Sequence, residues 1–247
     1  MAHLEDLRLD GKSLVDAIRS TGGKEYFKRD ELDDNLEKRK TDEMLDGFIP
    51  QKTAKEAAQF AKKEFGIDVD RHIDVDVLND LNQELIRARN MFGTVGIIEN
   101  IKTDHGVVDR GAFGSYDKDT RSILLRPGTG RPAATFFIKN EPEGQLSTRS
   151  PYHGYRHEIG HAILNYSKIS APEQVKVVQK TFIEMFPSAS ETSKGEKQLS
   201  RYAGKDYNEM VAEAVAEILD GNPRPLALRI LNELLGGTFD DKQSSSF

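Results

Sequence analysis

No cysteine occurs among the 247 residues, so disulfides and thiolate ligands are excluded. A bound metal would have to be held by histidine and carboxylate side chains. No apolar run approaches the roughly 20 residues that cross a bilayer, so no membrane span is expected. Net charge is −6, with no contiguous basic patch, and nucleic acid is not expected as a main partner. The opening residues, Met1 to Asp6, lack the basic-then-apolar layout of a signal peptide. No internal repeat is present.

What the chain does have is segmented periodicity. Residues 1–66 read as a charged helical N-terminal region or arm. Leu14, Val15 and Ile18 make a short apolar stripe that Gly22-Gly23 ends, and acids and bases alternate from Lys24 to Lys40. A second helix from Thr53 to Phe65 turns Ala54, Ala57, Ala58, Ala61 and Phe65 inward and stops at Gly66. Asp46 to Pro50 is the best break between the two.

Residues 67–239 read as the main domain. Asp76 to Arg89 has the spacing of a helix. Four β-type runs follow, at Val95–Ile101, Gly111–Tyr116, Ser122–Arg126 and Ala133–Ile138, with turn chemistry at Asp117 to Thr120. Helical periodicity then fills 154–168, 172–186, 206–220 and 224–235. The Ser188–Ser200 stretch reads as a loop and 240–247 as a flexible tail. The expected class is α+β, a small sheet followed by a helical C-terminal half.

The segment that carries chemistry is His157-Glu158-Ile159-Gly160-His161. Histidines at i and i+4 share one helical face, with Cβ atoms roughly 5–6 Å apart, so both imidazoles can reach one ion. Glu158 sits one position on and points beside that ion, as suits a base acting on a water at the metal. Ile159, Ala162, Ile163 and Tyr166 are expected to face the core. Gly160 costs about 1 kcal/mol of helix propensity relative to alanine, which suggests close approach by another stretch of backbone.

Two histidines do not complete a catalytic zinc site, which usually takes three protein ligands and leaves one position open. The third is expected downstream, in the loop and helix from Tyr202 to Glu217. There Glu209, Glu213 and Glu217 share one helical face. Acids at i, i+4 and i+8 repel one another unless a cation, basic partners or solvent relieves them. Glu209 and Glu213 are read as functional, Glu217 as surface charge. His153 is read as a loop residue at a cleft rim, because Pro151 and Gly154 suggest that the helix starts there. His72 and His105 are read as exposed.

Taken together, His157-Glu158-Ile159-Gly160-His161 and Tyr202-x6-Glu209-x2-Ala212-Glu213 resemble the gluzincin metallopeptidases, and most closely the catalytic domain of anthrax lethal factor and its relatives. A weaker resemblance, to metallopeptidase-like domains of phage head-associated proteins, rests on the Leu78–Leu85 helix and the Gly111–Arg126 hairpin. The first resemblance covers about residues 110–220 and implies a zincin-like domain with bound Zn2+. It implies His157, His161 and Glu209 as metal ligands, and Glu213 as a carboxylate orienting a ligand histidine. Glu158 would be the catalytic base. Tyr202 would donate a hydrogen bond to the intermediate's oxygen, and only its spacing favours it over Tyr207.

The function so implied is a zinc-dependent endopeptidase acting on a protein or peptide substrate. The substrate would pair with a strand edge, either Ala133–Ile138 or Ser122–Arg126. The alternatives are a non-catalytic binding or assembly protein of the same fold, or a toxin or effector peptidase. A cytoplasmic, non-classically exported or virion-associated location fits each.

Overall fold

The computed structural model describes residues 44–104, 113–125, 145–188 and 199–236. The expectations for 1–43, for the Ala133–Ile138 strand, for His105 and for the tail lie outside these residues.

Helix α1 (Ala54–Phe65) begins where Thr53 and Glu56 form a capping box. The Thr53 hydroxyl accepts from the Glu56 amide and the Glu56 carboxylate accepts from the Thr53 amide. Gly66, at φ 77°, ends the helix in the left-handed conformation that glycine tolerates. A short strand, β1 (Asp68–Val69), leads to α2 (Val75–Phe92). Ala57 of α1 belongs to the same buried core as Leu81 of α2 and Ile159 of the motif helix.

The sheet adds β2 (Asn100–Thr103), β3 (Gly114–Asp117) and β4 (Ser122–Leu125), in the order β1-β2-β4-β3. β1, β2 and β4 run parallel, and β3 is antiparallel to β4. The Asp117 carboxylate accepts from the amides of Asp119 and Thr120, which closes the β3–β4 turn as its chemistry predicts. The Val95–Ile101 run pairs only from Asn100 onward. Before that, Gly96 at φ 81° lies so close to the motif helix that a Cβ would sit 2.3 Å from the Ala162 carbonyl carbon. The Ile97 amide donates to the Ala162 carbonyl. The segment is therefore spent on crossing a helix, not on a ladder.

Four further helices follow: α3 (His153–Tyr166), α4 (Ala171–Met185), α5 (Tyr207–Leu219) and α6 (Pro225–Leu235). Among the described residues this makes an α+β fold of six helices and a four-stranded mixed sheet. Tyr166 departs from its core-facing expectation. It is the last residue of α3 and 48 % exposed, because the final turn extends past the packed surface.

α3 and α5 lie in direct backbone contact. A Cβ on Gly160 would stand 2.7 Å from Ala212 Cα and 3.0 Å from its carbonyl oxygen, which is the close approach the sequence suggested. Gly160→Ala would gain about 1 kcal/mol of helix propensity and lose more by driving two buried helices apart. We expect a net destabilisation of about 1–2 kcal/mol, read from urea unfolding in chelator so that metal does not contribute. Equal or greater stability would show that the helices can separate freely.

Buried ion pairs fix how these helices meet. Arg156, 1 % exposed, donates from Nε to Glu84 of α2 at 2.6 Å and from Nη1 to Asp220, just after α5, at 2.6 Å. Glu217 is a correction. It is 3 % exposed, not surface charge. Its carboxylate accepts from the Arg224 guanidinium at 2.7–2.8 Å, so an intramolecular cation relieves the acidic row at this position.

Candidate metal centre

Three side chains from two helices converge at the mouth of the α3–α5 contact. The one-turn spacing in α3 brings His157 Nε2 and His161 Nε2 to 3.1 Å. Glu209 lies in the first turn of α5, where Asp206 caps the helix by accepting from the amides of Asn208 and Glu209. The helix dipole favours a carboxylate at that end. Glu209 Oε2 stands 3.0 Å from His157 Nε2 and 3.6 Å from His161 Nε2.

These distances test whether an ion fits. Ligands 2.0–2.1 Å from a tetrahedral zinc stand about 3.3 Å from one another, and the three observed separations bracket that value. Glu209 Oε2 is buried with no aligned hydrogen-bond donor, and its neighbours are the two imidazole nitrogens. A buried carboxylate oxygen left so is costly. Two imidazole nitrogens and one carboxylate oxygen form the donor set of a hydrolytic zinc site.

A second group, His153, His157 and Glu213, is also buried and close enough to hold a metal ion. Here Glu213 Oε1 lies 2.9 Å from both His153 Nε2 and His157 Nδ1. His153 is a second correction. The helix already begins at His153, and the residue is buried on α3, not placed in a loop at a cleft rim. Gly154 is required inside the helix because the Phe113 ring occupies the space a Cβ would take, at 2.6 Å. The glycine marks packing, not a helix end.

The electrostatics follow from burial and neighbours. For Glu209 burial works to raise the pKa, but contacts with His157 and His161 bring it down to about 2. For His157 burial works to lower the pKa, and Glu209 and Glu213 raise it to about 10. Glu213 is also opposed by burial, yet His153 and His157 hold it well below the usual carboxylate range. The side chains alone thus balance their charge with a proton on His157. A divalent cation would take the place of that proton.

Glu158 is buried beside this cluster, with Oε2 lacking any hydrogen-bond partner. Burial pushes its pKa up, towards that of a better proton acceptor. A cleft of about 640 Å³ opens over these groups, lined by His157, Glu158, His161, Glu209 and both Tyr202 and Tyr207. The Tyr202 ring stands 5.5 Å from that of His157, and burial raises its phenol pKa, so it is a neutral O–H donor at neutral pH.

Of the strands, Gly114, Ser115 and Tyr116 of β3 line the cleft. The expected edge Ser122–Arg126 is corrected on this point: its paired part, β4, lies between β2 and β3. Among the described strands, the one at the cleft-side edge is β3. Hydrophobic patterning finds strands but not their order. His72 is exposed, as expected. No protein-family model, no curated protein and no solved structure matches this chain.

Proposed function

We propose that this chain is a zinc-dependent endopeptidase of the gluzincin type, with His157, His161 and Glu209 holding the metal. The observation that carries the reading is the convergence of three lone-pair atoms, 3.0–3.6 Å apart, in an open cleft beside the buried carboxylate of Glu158, whose Oε2 has no hydrogen-bond partner. When bound there, zinc supplies a Lewis acid that polarises a carbonyl and makes water more acidic.

The remaining roles belong to side chains. Glu158 removes a proton from the attacking water and delivers it to the leaving amine. Tyr202 donates its O–H to the carbonyl oxygen as negative charge gathers there, a contribution that is commonly large. Glu213 accepts from His157 Nδ1, which leaves Nε2 with a free lone pair for the metal. An extended peptide adds to the β3 edge, and main-chain hydrogen bonds hold the scissile bond over the site.

The test combines metal content with turnover. Purified protein should carry one zinc per chain and cleave members of a peptide library. A chelator should abolish cleavage and added zinc should restore it. Full zinc occupancy with no cleavage in any peptide context would instead favour the non-catalytic binding reading.

A further inference from the structure

We infer that His153 is a positioning residue for the metal centre, acting through Glu213 on the ligand His157; the inference rests on the zinc reading above. The argument is an inventory of protons and lone pairs. Glu213 is fully buried, and an ionised carboxylate only accepts. Its Oε2 takes the Ser147 amide at 2.6 Å. Its Oε1 lies 2.9 Å from His157 Nδ1 and 2.9 Å from His153 Nε2. To offer Nε2 to a metal, neutral His157 must carry its proton on Nδ1, the nitrogen that faces Glu213.

His153 is then a second donor to the same oxygen. Its other nitrogen, Nδ1, lies 3.2 Å from the Thr148 hydroxyl, which can donate to it. The directions are mutually consistent. Thr148 donates to His153, His153 donates to Glu213, and His157 donates to Glu213 from its far side. Every polar atom of this chain of contacts is thereby used, in a region where an unmet group costs about 1–3 kcal/mol. Ser147 Oγ also donates to the Glu213 main-chain carbonyl at 2.9 Å, so Ser147 holds both the backbone and the carboxylate of Glu213.

The competing account is that His153, His157 and Glu213 hold an ion of their own. That account would strip protons from both rings where they face Glu213. It would leave a single imidazole bridging two cations.

Two variants of similar size separate the accounts. His153→Gln keeps an N–H donor that can reach Glu213, whereas His153→Met keeps bulk without a donor. Zinc stoichiometry and affinity are measured by competition with a chromophoric chelator, and the metal-free fold is checked by thermal unfolding in chelator. The expected result is one zinc per chain throughout. Affinity should fall about tenfold in His153→Met, the lower end of the range for losing an outer-shell partner, and should recover to within about threefold of wild type in His153→Gln.

Wild-type affinity in His153→Met would overturn the proposal. So would equal weakening in both variants, which would mark a packing role. Two ions in the wild type with one lost on substitution would make His153 a ligand. A wild type that binds no zinc would overturn the underlying reading first, a result separable from all the others. If His153→Met does not fold, Thr148→Val removes the hydroxyl that faces His153 Nδ1, along with its acceptance from the Ser150 amide. It should weaken zinc about threefold, and no change would count against the proposal.

Discussion

Replacing Glu158 by glutamine is expected to lower kcat by about a thousandfold, while zinc affinity stays within about twofold of wild type. The two readouts separate because the structure separates the groups. Glu158 follows His157 by one residue and so projects beside the ligand set, not into it. Its Oε2 has no hydrogen-bond partner, so an amide nitrogen at that position breaks no observed hydrogen bond. Burial raises the pKa of the carboxylate, which makes it a stronger base than a solvated one. Glutamine has the same shape and cannot accept the proton. KM should change little, because the side chain's size and the cleft are retained. Turnover at the wild-type rate would remove Glu158 from the base role. Loss of zinc together with turnover would mean that the carboxylate had been holding metal.

Much of this site was legible because its chemistry is written at helical spacing. His157 and His161 are one turn apart, and any helix there must bring them together. Glu209 was harder, since it comes from another helix, and the acidic row and the Tyr202-to-Glu213 spacing had to point to it together. The failures share one physical origin. The burial of Glu217 and His153 is set in three dimensions, by partners beyond their own turn of helix. Arg224 turns back onto Glu217, and Phe113 fills the space beside Gly154. The Arg156–Glu84–Asp220 cluster has 72- and 64-residue separations, and no local pattern announces it. Helix limits were easier at Thr53 and Gly66, which act on their own turn of backbone, so the signal is local too. Strand order was not readable, because which edge of a sheet stays open depends on pairings between distant segments.

The acid at position 209 leads to the second large effect. Glu209→Ala takes the ligand set from three to two, and zinc affinity should fall on the order of a thousandfold, a modest share of the roughly 10 kcal/mol or more that complete zinc sites supply. Turnover should fall to background at any zinc level that merely saturates the wild type. Thermal unfolding gives an independent readout. At free zinc 100 times its dissociation constant, the wild type gains about 2.7 kcal/mol by mass action, while the variant at the same zinc gains almost nothing. In chelator the comparison changes in kind. The Glu209 pKa is depressed to about 2 by His157 and His161, so its carboxylate stabilises the folded state above the unfolded pKa near 4.5 and ceases to do so as pH falls through about 2. Metal-free wild type should therefore be modestly more stable than the variant at neutral pH, and the gap should close on acidification. A zinc-dependent shift of equal size in both proteins would place the ion somewhere other than between these two helices. A zinc-dependent shift in the wild type alone, with the metal-free gap vanishing in acid, is the pattern expected if one carboxylate both balances the imidazolium in the empty site and replaces that role by binding metal.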